Sequence, residues 1–275
     1  MTDFFIALST NPILLASLFA AFLASISSGI MGSYIVVKRN VFIAGSIAHA
    51  VLGGIGLALW LDRVQGIAWL TPLSGALLAA ILSALIMGWI HLYYKERDDS
   101  VIAALWSIGM AAGILFISQT PGSNVELSNY LVGNILWVTP SDLKVLAILD
   151  AIVLLVVFKF HKKFLLLCFD ENQAKLQGVN VPALYLLLLV LASVTIVLLI
   201  QVVGVILVMT ILTIPAAIAG LMTSRLSRMM GLAVILSALF CFLGNWTAFV
   251  MDWPIGATIA LIAGGAYVVS LLSLK

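Results

Sequence analysis

Charged residues are scarce in this chain. Aspartate, glutamate, lysine and arginine together make up 9% of its 275 residues, against roughly a quarter in soluble domains. Hydrophobic residues supply 64%, and the mean hydropathy is +1.24. Such a chain cannot cover itself with polar groups, so its outer surface must face lipid. No glycine-rich loop ending in Gly-Lys-Ser/Thr is present, which removes the usual phosphate cradle. Any ATP-driven work is therefore expected from a separate chain, and this one is not expected to be an enzyme. There are two cysteines, Cys168 and Cys241, and their spacing fits neither a metal site nor a redox pair. No basic cluster is interleaved with aromatics, which argues against nucleic-acid binding. No polar stretch is long enough for a second, soluble domain, so residues 1–275 read as one transmembrane domain. Asp3 and the lack of early Lys or Arg argue against a cleavable signal at Met1 to Thr10.

What is abundant is long apolar runs. A spanning helix needs about 20 apolar residues, and the sequence divides into spans near 12–37, 41–61, 68–92, 101–118, 144–160, 183–201, 204–222, 230–249 and 255–274. The expected fold class is thus all-α and polytopic, with eight or nine spans. The break between Gln201 and Gly204 is so short that the sixth and seventh spans also read as one bent helix followed by a re-entrant piece. Orientation follows from the basic residues. Lys38, Arg39, Lys95, Arg97, Lys159, Lys162, Lys163, Lys175, Arg225, Arg228 and Lys275 fall in alternate loops, and Arg63 and Lys144 fall in the others. The positive-inside rule then places the N-terminus outside and the C-terminus in the cytoplasm of a multi-pass plasma-membrane (inner-membrane) protein. Trp60, Trp69, Trp89, Tyr93, Tyr94, Trp137 and Trp253 sit near span ends, as an interfacial belt does.

Two connecting segments stand out. The outer one, Gln119 to Asp142, holds Thr120-Pro121-Gly122, Thr139-Pro140 and the acids Glu126 and Asp142. The inner one, Lys159 to Val181, is the most polar part of the chain. Its Phe169-Asp170-Glu171-Asn172-Gln173-Ala174-Lys175, closed by Gly178, describes a short capped surface helix.

Polar groups at membrane depth are costly, and the candidates here are His49, Asp150 and Gln201. On a helix, Gly45 and Gly53 share the face of His49, beside a stripe of Ser46, Ala50 and Gly54. This leaves room for close helix packing, for a ligand, or for a second imidazole. The imidazole suits zinc and other first-row metals; a hydrogen bond to a neighbouring helix is the competing reading. Asp150, among Leu146, Ile148, Leu149, Ile152 and Leu154, is either a metal ligand or proton carrier, or a buried acid paired with a hydroxyl or backbone group. Zinc prefers four ligands, so one His and one Asp make half a set, which two copies of the chain about a two-fold axis could complete. Asp98-Asp99 reads as a solvated loop, and His91 and His161 as interfacial structural residues. Arg225 and Arg228 are topology anchors or contacts to a cytoplasmic partner.

Taken in order, these residues resemble the ABC-3 family of metal-importer permeases, the membrane subunits of zinc, manganese and iron uptake systems. The resemblance rests on Gly32-Ser33-Tyr34-Ile35-Val36-Val37-Lys38-Arg39, on Ala48-His49-Ala50 and on Asp98-Asp99-Ser100. It continues through Tyr130-Leu131-Val132-Gly133-Asn134-Ile135-Leu136, Phe169-Asp170-Glu171 with Ala174 and Gly178-Val179, and Val203-Gly204 with Ile214-Pro215-Ala216-Ala217. It ends at Asp252, Pro254 and Gly256. It implies an ABC importer permease fold and a dimer with itself or a close paralogue. It further implies two cytoplasmic ATP-binding cassette subunits, an extracytoplasmic metal-binding protein, and a divalent metal as transported substrate with no permanently bound cofactor. On the same grounds the segment from Ala219 to Met230, with Arg225 and Arg228, resembles the coupling helix that docks on the ATPase. The outer loop, with Glu126 and Asn134, would receive the binding protein.

The chain departs from the family at one informative place. Many members carry an aspartate four residues before the motif histidine, where this chain has Gly45. The expectation is that Asp150 supplies the missing oxygen from another span, giving His49 and Asp150 as metal ligands. Loss of a hard carboxylate favours zinc over manganese. Two other classes compete. A proton-coupled secondary metal transporter would use Asp150 as the proton carrier. An intramembrane enzyme would need a fuller set of catalytic groups than one His and one Asp.

Overall fold

In the computed structural model the described residues are 2–67, 69–94, 98–122, 135 and 138–273. Among them, the chain runs through α1 (Thr2–Thr10), α2 (Pro12–Val37), α3 (Val41–Gln65), α4 (Pro72–Tyr93), α5 (Asp98–Ser118), α6 (Pro140–Phe169), α7 (Glu171–Leu176), α8 (Val181–Val203), α9 (Val205–Met222), α10 (Leu226–Met251) and α11 (Ile255–Ser273). Eight of these are long and apolar enough to cross a membrane. The long helix α6 is diluted by Asp142, Lys144, Asp150, Lys159, Lys162 and Lys163. It is also longer than its apolar stretch. The helix continues past residue 160 because nothing from Lys159 to Phe169 breaks it: there is no Gly or Pro, and Lys and Leu are good helix formers. Its 30 residues span about 45 Å, more than the hydrocarbon core.

Local chemistry sets the ends of these helices. Asn11 caps α2, accepting the Ile13 N–H at 3.0 Å, and Pro12 occupies the first turn. Thr71 does the same for α4, accepting from the Ser74 N–H at 3.2 Å ahead of Pro72. Thr139 and Asp142 form a reciprocal box at the start of α6: Asp142 Oδ2 accepts the Thr139 N–H at 2.9 Å, and Thr139 Oγ1 accepts the Asp142 N–H at 3.3 Å. The short helix α7 has the expected design. Asp170 caps it through the Gln173 N–H at 2.9 Å, and Gly178 turns the chain at φ +74°.

The sixth and seventh spans are two separate helices. A single residue, Gly204, divides them, with φ +83° and ψ +162°, a conformation open essentially to glycine alone. The backbone ladder is kept up to the break, since the Gly204 N–H still donates to the Ile200 carbonyl at 2.8 Å.

The chain falls into two compact units, each assembled from separated stretches. One comprises Met1–Arg39, Leu127–Lys159 and Leu198–Lys275, and the other Asn40–Glu126 and Phe160–Val197. In the first unit α2 packs on α9 and α10, and α11 on the same two helices. Small residues make this possible. A Cβ on Gly32 would lie 1.8 Å from the Leu212 carbonyl oxygen, and one on Gly29 would lie 2.6 Å from the Val234 nitrogen. Buried serines close their hydroxyls on their own helix: Ser25 donates to the Ala21 carbonyl and Ser33 to that of Gly29, both at 2.7 Å. No water is available in hydrocarbon to take these bonds.

In the second unit α3 packs against both α4 and α5. Gly54 meets Gly75, and Gly109 meets Ala50 so closely that a Cβ on Gly109 would stand 2.3 Å from the Ala50 Cα. One interhelical hydrogen bond sets the register, from Ser46 Oγ to the Ile102 carbonyl at 3.0 Å.

Candidate functional site

The stripe of small residues on α3 does what their size allows: it brings α5 to backbone distance. His49 sits in this seam, half-buried, with Gly45 and Gly53 on its face also partly open while Ser46, Ala48 and Ala50 are buried. The room beside the imidazole is not empty. The indole of Trp106 on α5 stacks on the His49 ring, with centroids 4.2 Å apart and planes 16° from parallel. The same indole lies over Gly45, where a Cβ would be 3.2 Å from its edge carbon Cζ3. Trp106 is held in turn by Met110, one turn on, whose Sδ accepts the indole N–H at 3.2 Å. Stacking occupies a face of the imidazole. Its two nitrogens lie in the ring plane, so the stacked indole does not cover them.

Trp106 was not among the sequence candidates, although a signal existed. Unlike the tryptophans of the interfacial belt, it falls inside its span of residues 101–118, with Met110 at i+4. A polar-tipped aromatic within a span needs a partner for its N–H.

Beside this seam lies a groove of about 390 Å³ between α3, α4 and α5, lined by residues such as Gly53, Leu57, Leu82, Ile108 and Phe116. Its walls carry no acid, histidine or cysteine, so its chemistry suits hydrocarbon and not a cation.

Asp150 lies in the other unit, on α6, and is 5% exposed. Its Oδ1 accepts the backbone N–H of Ser27 on α2 at 3.1 Å. The backbone pairing anticipated for a buried acid is therefore present. Its Oδ2 is buried without a hydrogen-bond partner, as is the Ser27 hydroxyl. Among the described residues, no three His, Cys, Asp or Glu side chains gather into a metal-sized cluster.

The remaining candidates are placed as follows. Gln201 is exposed, in the last turn of α8. His91 packs against Tyr185 with centroids 4.8 Å apart. Asp98 and Asp99 open α5, where acids complement the helix dipole, in place of the expected loop. The segment from Ala219 to Met230 is not a separate helix. It is the end of α9, a three-residue turn, and the start of α10. Thr223 and Arg225 take extended backbone conformations, which is why the helix breaks there. Arg225 and Arg228 are both exposed at this turn. Glu126 and Asn134 lie outside the described residues.

Comparison with known proteins covers nearly the whole chain. Residues 10–273 match the ABC 3 transport family. A probable metal transport system membrane protein of Chlamydia trachomatis is 49% identical, over 95% of this chain and 89% of that one. The manganese transport system membrane protein MntC of Halalkalibacterium halodurans is 31% identical, over 96% and 88% respectively. Among solved structures, PsaBC from Streptococcus pneumoniae in complex with Fab superposes with a TM-score of 0.84 at 30% identity. It covers 98% of this chain and 94% of that chain.

Proposed function

The chain belongs to the ABC 3 transport family as a multi-pass membrane subunit of a metal transporter and not its ATPase, and from that premise we propose that it imports a divalent transition metal, zinc ahead of manganese or iron. One observation carries the metal reading. His49 presents an imidazole at membrane depth on a stripe of glycine, alanine and serine, with the Trp106 indole stacked on one face. A histidine there is costly unless it has a task, and neutral imidazole is a good ligand for first-row metals. Zinc is placed first because the seam offers nitrogen and no carboxylate at position 45, and nitrogen suits zinc better than it suits manganese. The relative named for manganese transport makes manganese the main competitor.

Asp150 is the second proposed donor. Its Oδ1 accepts the Ser27 backbone N–H, with the Ser27 hydroxyl beside the same carboxylate, and Oδ2 is the oxygen proposed to meet the metal. His49 and Asp150 are each testable alone, because each is held within its own unit.

The working assembly is proposed as a dimer of this chain, or of it with a close paralogue. It would include two cytoplasmic ATP-binding cassette subunits and a metal-binding protein outside. The distribution of Lys and Arg supports an external N-terminus and a cytoplasmic C-terminus in the plasma membrane. On that topology the exposed Arg225 and Arg228 face the cytoplasm at a tight turn, where they can meet the ATPase. The outer segment holding Glu126 and Asn134 faces the binding protein.

The test is uptake into proteoliposomes containing this chain, its ATPase and the binding protein, with zinc, manganese and iron compared. The expected result is uptake of one metal that requires ATP. Uptake driven by a pH gradient without ATP would instead establish secondary transport, with Asp150 as the proton carrier. A second expectation concerns coupling. Replacing Arg225 and Arg228 together by alanine should lower recovery of the ATPase with the permease about tenfold, as loss of interfacial charge does, with metal binding intact. Unchanged recovery would remove these two residues from the interface.

A further inference from the structure

We propose that Trp106 determines which cation this permease selects, by occupying the position beside His49 that an oxygen ligand would need. The inference rests on His49 being the metal-contacting residue of the proposed import function.

The argument starts from helix geometry. Residue 45 lies one turn before His49 on the same face of α3, so a side chain there is the nearest intrahelical source of a second ligand. That position is glycine, and the indole of Trp106 lies over it. A Cβ at Gly45 would stand 3.2 Å from Trp106 Cζ3, close enough that the ring must give by a few tenths of an ångström, and a carboxylate turned from that Cβ toward His49 would meet the indole.

Two contacts hold the indole in this position. It is stacked on His49 and tied through its N–H to Met110 Sδ. The helix carrying it is fixed against α3 by the Ser46–Ile102 hydrogen bond and by the approach of Gly109 to Ala50.

The exclusion has a chemical consequence. A cation at His49 receives nitrogen from α3 and no carboxylate oxygen from the same face. Hard, oxygen-preferring manganese loses most by this, while zinc, at ease with imidazole, loses least. The stacked indole adds a second bias. Its electron-rich face lies parallel to an imidazole that becomes partly cationic when it binds metal, and an aromatic face attracts such charge. Trp106 is therefore a positioning residue. It sets the orientation of His49 and the character of the site without being a ligand.

The experiment compares zinc and manganese uptake by the full complex in proteoliposomes, with ATP, for the parent, Gly45→Asp, Trp106→Ala, Trp106→Phe and Gly45→Asp/Trp106→Ala. His49→Ala serves as the reference. Gly45→Asp alone should lose uptake of both metals, because the carboxylate and the indole compete for one place. The double variant should regain uptake with the zinc-to-manganese ratio shifted at least about tenfold toward manganese. Trp106→Phe, which keeps a stacked ring, should retain the parental ratio.

Parental behaviour of Gly45→Asp, or a parental ratio in the double variant, overturns the proposal. So does a Trp106→Phe variant whose ratio shifts as far as that of Trp106→Ala. Should Trp106→Ala and the double variant fail to assemble, Gly45→Asp and Trp106→Phe decide the matter: parental uptake by Gly45→Asp, or a Trp106→Phe ratio that departs from the parental one, overturns the proposal. The reference separates the two levels of the argument. Parental uptake by His49→Ala removes the metal-site reading itself. An inactive His49→Ala with unshifted ratios elsewhere removes only the role of Trp106.

Discussion

Replacing His49 by alanine should lower ATP-dependent metal uptake by about a hundredfold or more while the protein still assembles with its ATPase. Loss of a residue that merely supports a metal ligand costs about 10- to 100-fold, and loss of the ligand itself should cost at least as much. Assembly should survive because the imidazole is only half-buried and the helix seam around it does not depend on it. Besides the His49–Trp106 stack, α3 and α5 are held by Ser46 to Ile102 and by the close approaches at Ala50, Gly53 and Gly56. The measurement is initial uptake rate, with thermal stability and ATPase recovery followed in parallel. Parental uptake would show that the cation does not meet this histidine. Lost uptake accompanied by a collapse of stability would assign His49 to packing.

The second large effect is structural. Gly32→Ala should destabilise the permease by about 3 kcal/mol or more. Its new methyl would be built 1.8 Å from the Leu212 carbonyl oxygen. The obstacle is main chain of α9, not the end of a flexible side chain, so α2 and α9 would have to separate along their contact. In a membrane bundle that contact is made of packing and not of water exclusion between helices, so a separation of an ångström forfeits much of it. Gly264→Ala on α11 is the matched control. Nothing lies within 4 Å of its built Cβ, and a helical alanine there should be neutral or slightly stabilising. The check is the melting temperature of the two purified variants in detergent. A large loss for Gly32→Ala with none for Gly264→Ala is expected, and equal behaviour would contradict the packing of α2 on α9.

Much of the architecture was legible as apolar length and punctuation. The start of α2 at Pro12 follows from Asn11-Pro12. The short helix after Asp170 follows from its cap, its acids and Gly178. Gly204 marked a boundary so brief that a bent helix was also a reading; the backbone angles at that glycine decide for two helices. Reading polarity as loop misled in two places. Lys159, Lys162 and Lys163 look like a connection, yet α6 carries them, because charged residues with high helix propensity extend a helix beyond the membrane without interrupting it. Asp98-Asp99 looks like a loop, yet it opens α5, because acids are favourable at a helix start.

The site shows the same division. Apolar runs, caps and basic loops are properties of residues close together in the chain. They settled on their own that this is an all-helical, many-span membrane protein without its own ATPase motif, with a histidine set in a glycine-rich stripe. The occupant of the space beside that histidine was not written in α3 at all. Trp106 is separated from His49 in the sequence by the end of α3 and the whole of α4. It meets the imidazole only because glycine and alanine on two different helices let their backbones touch in one register. The pairing of Asp150 with a main-chain N–H of α2 is likewise a contact between distant segments. Periodicity determines which face a residue occupies, and tertiary packing determines what stands opposite. For this protein the second of these turned an apparently open histidine into one flanked by an indole.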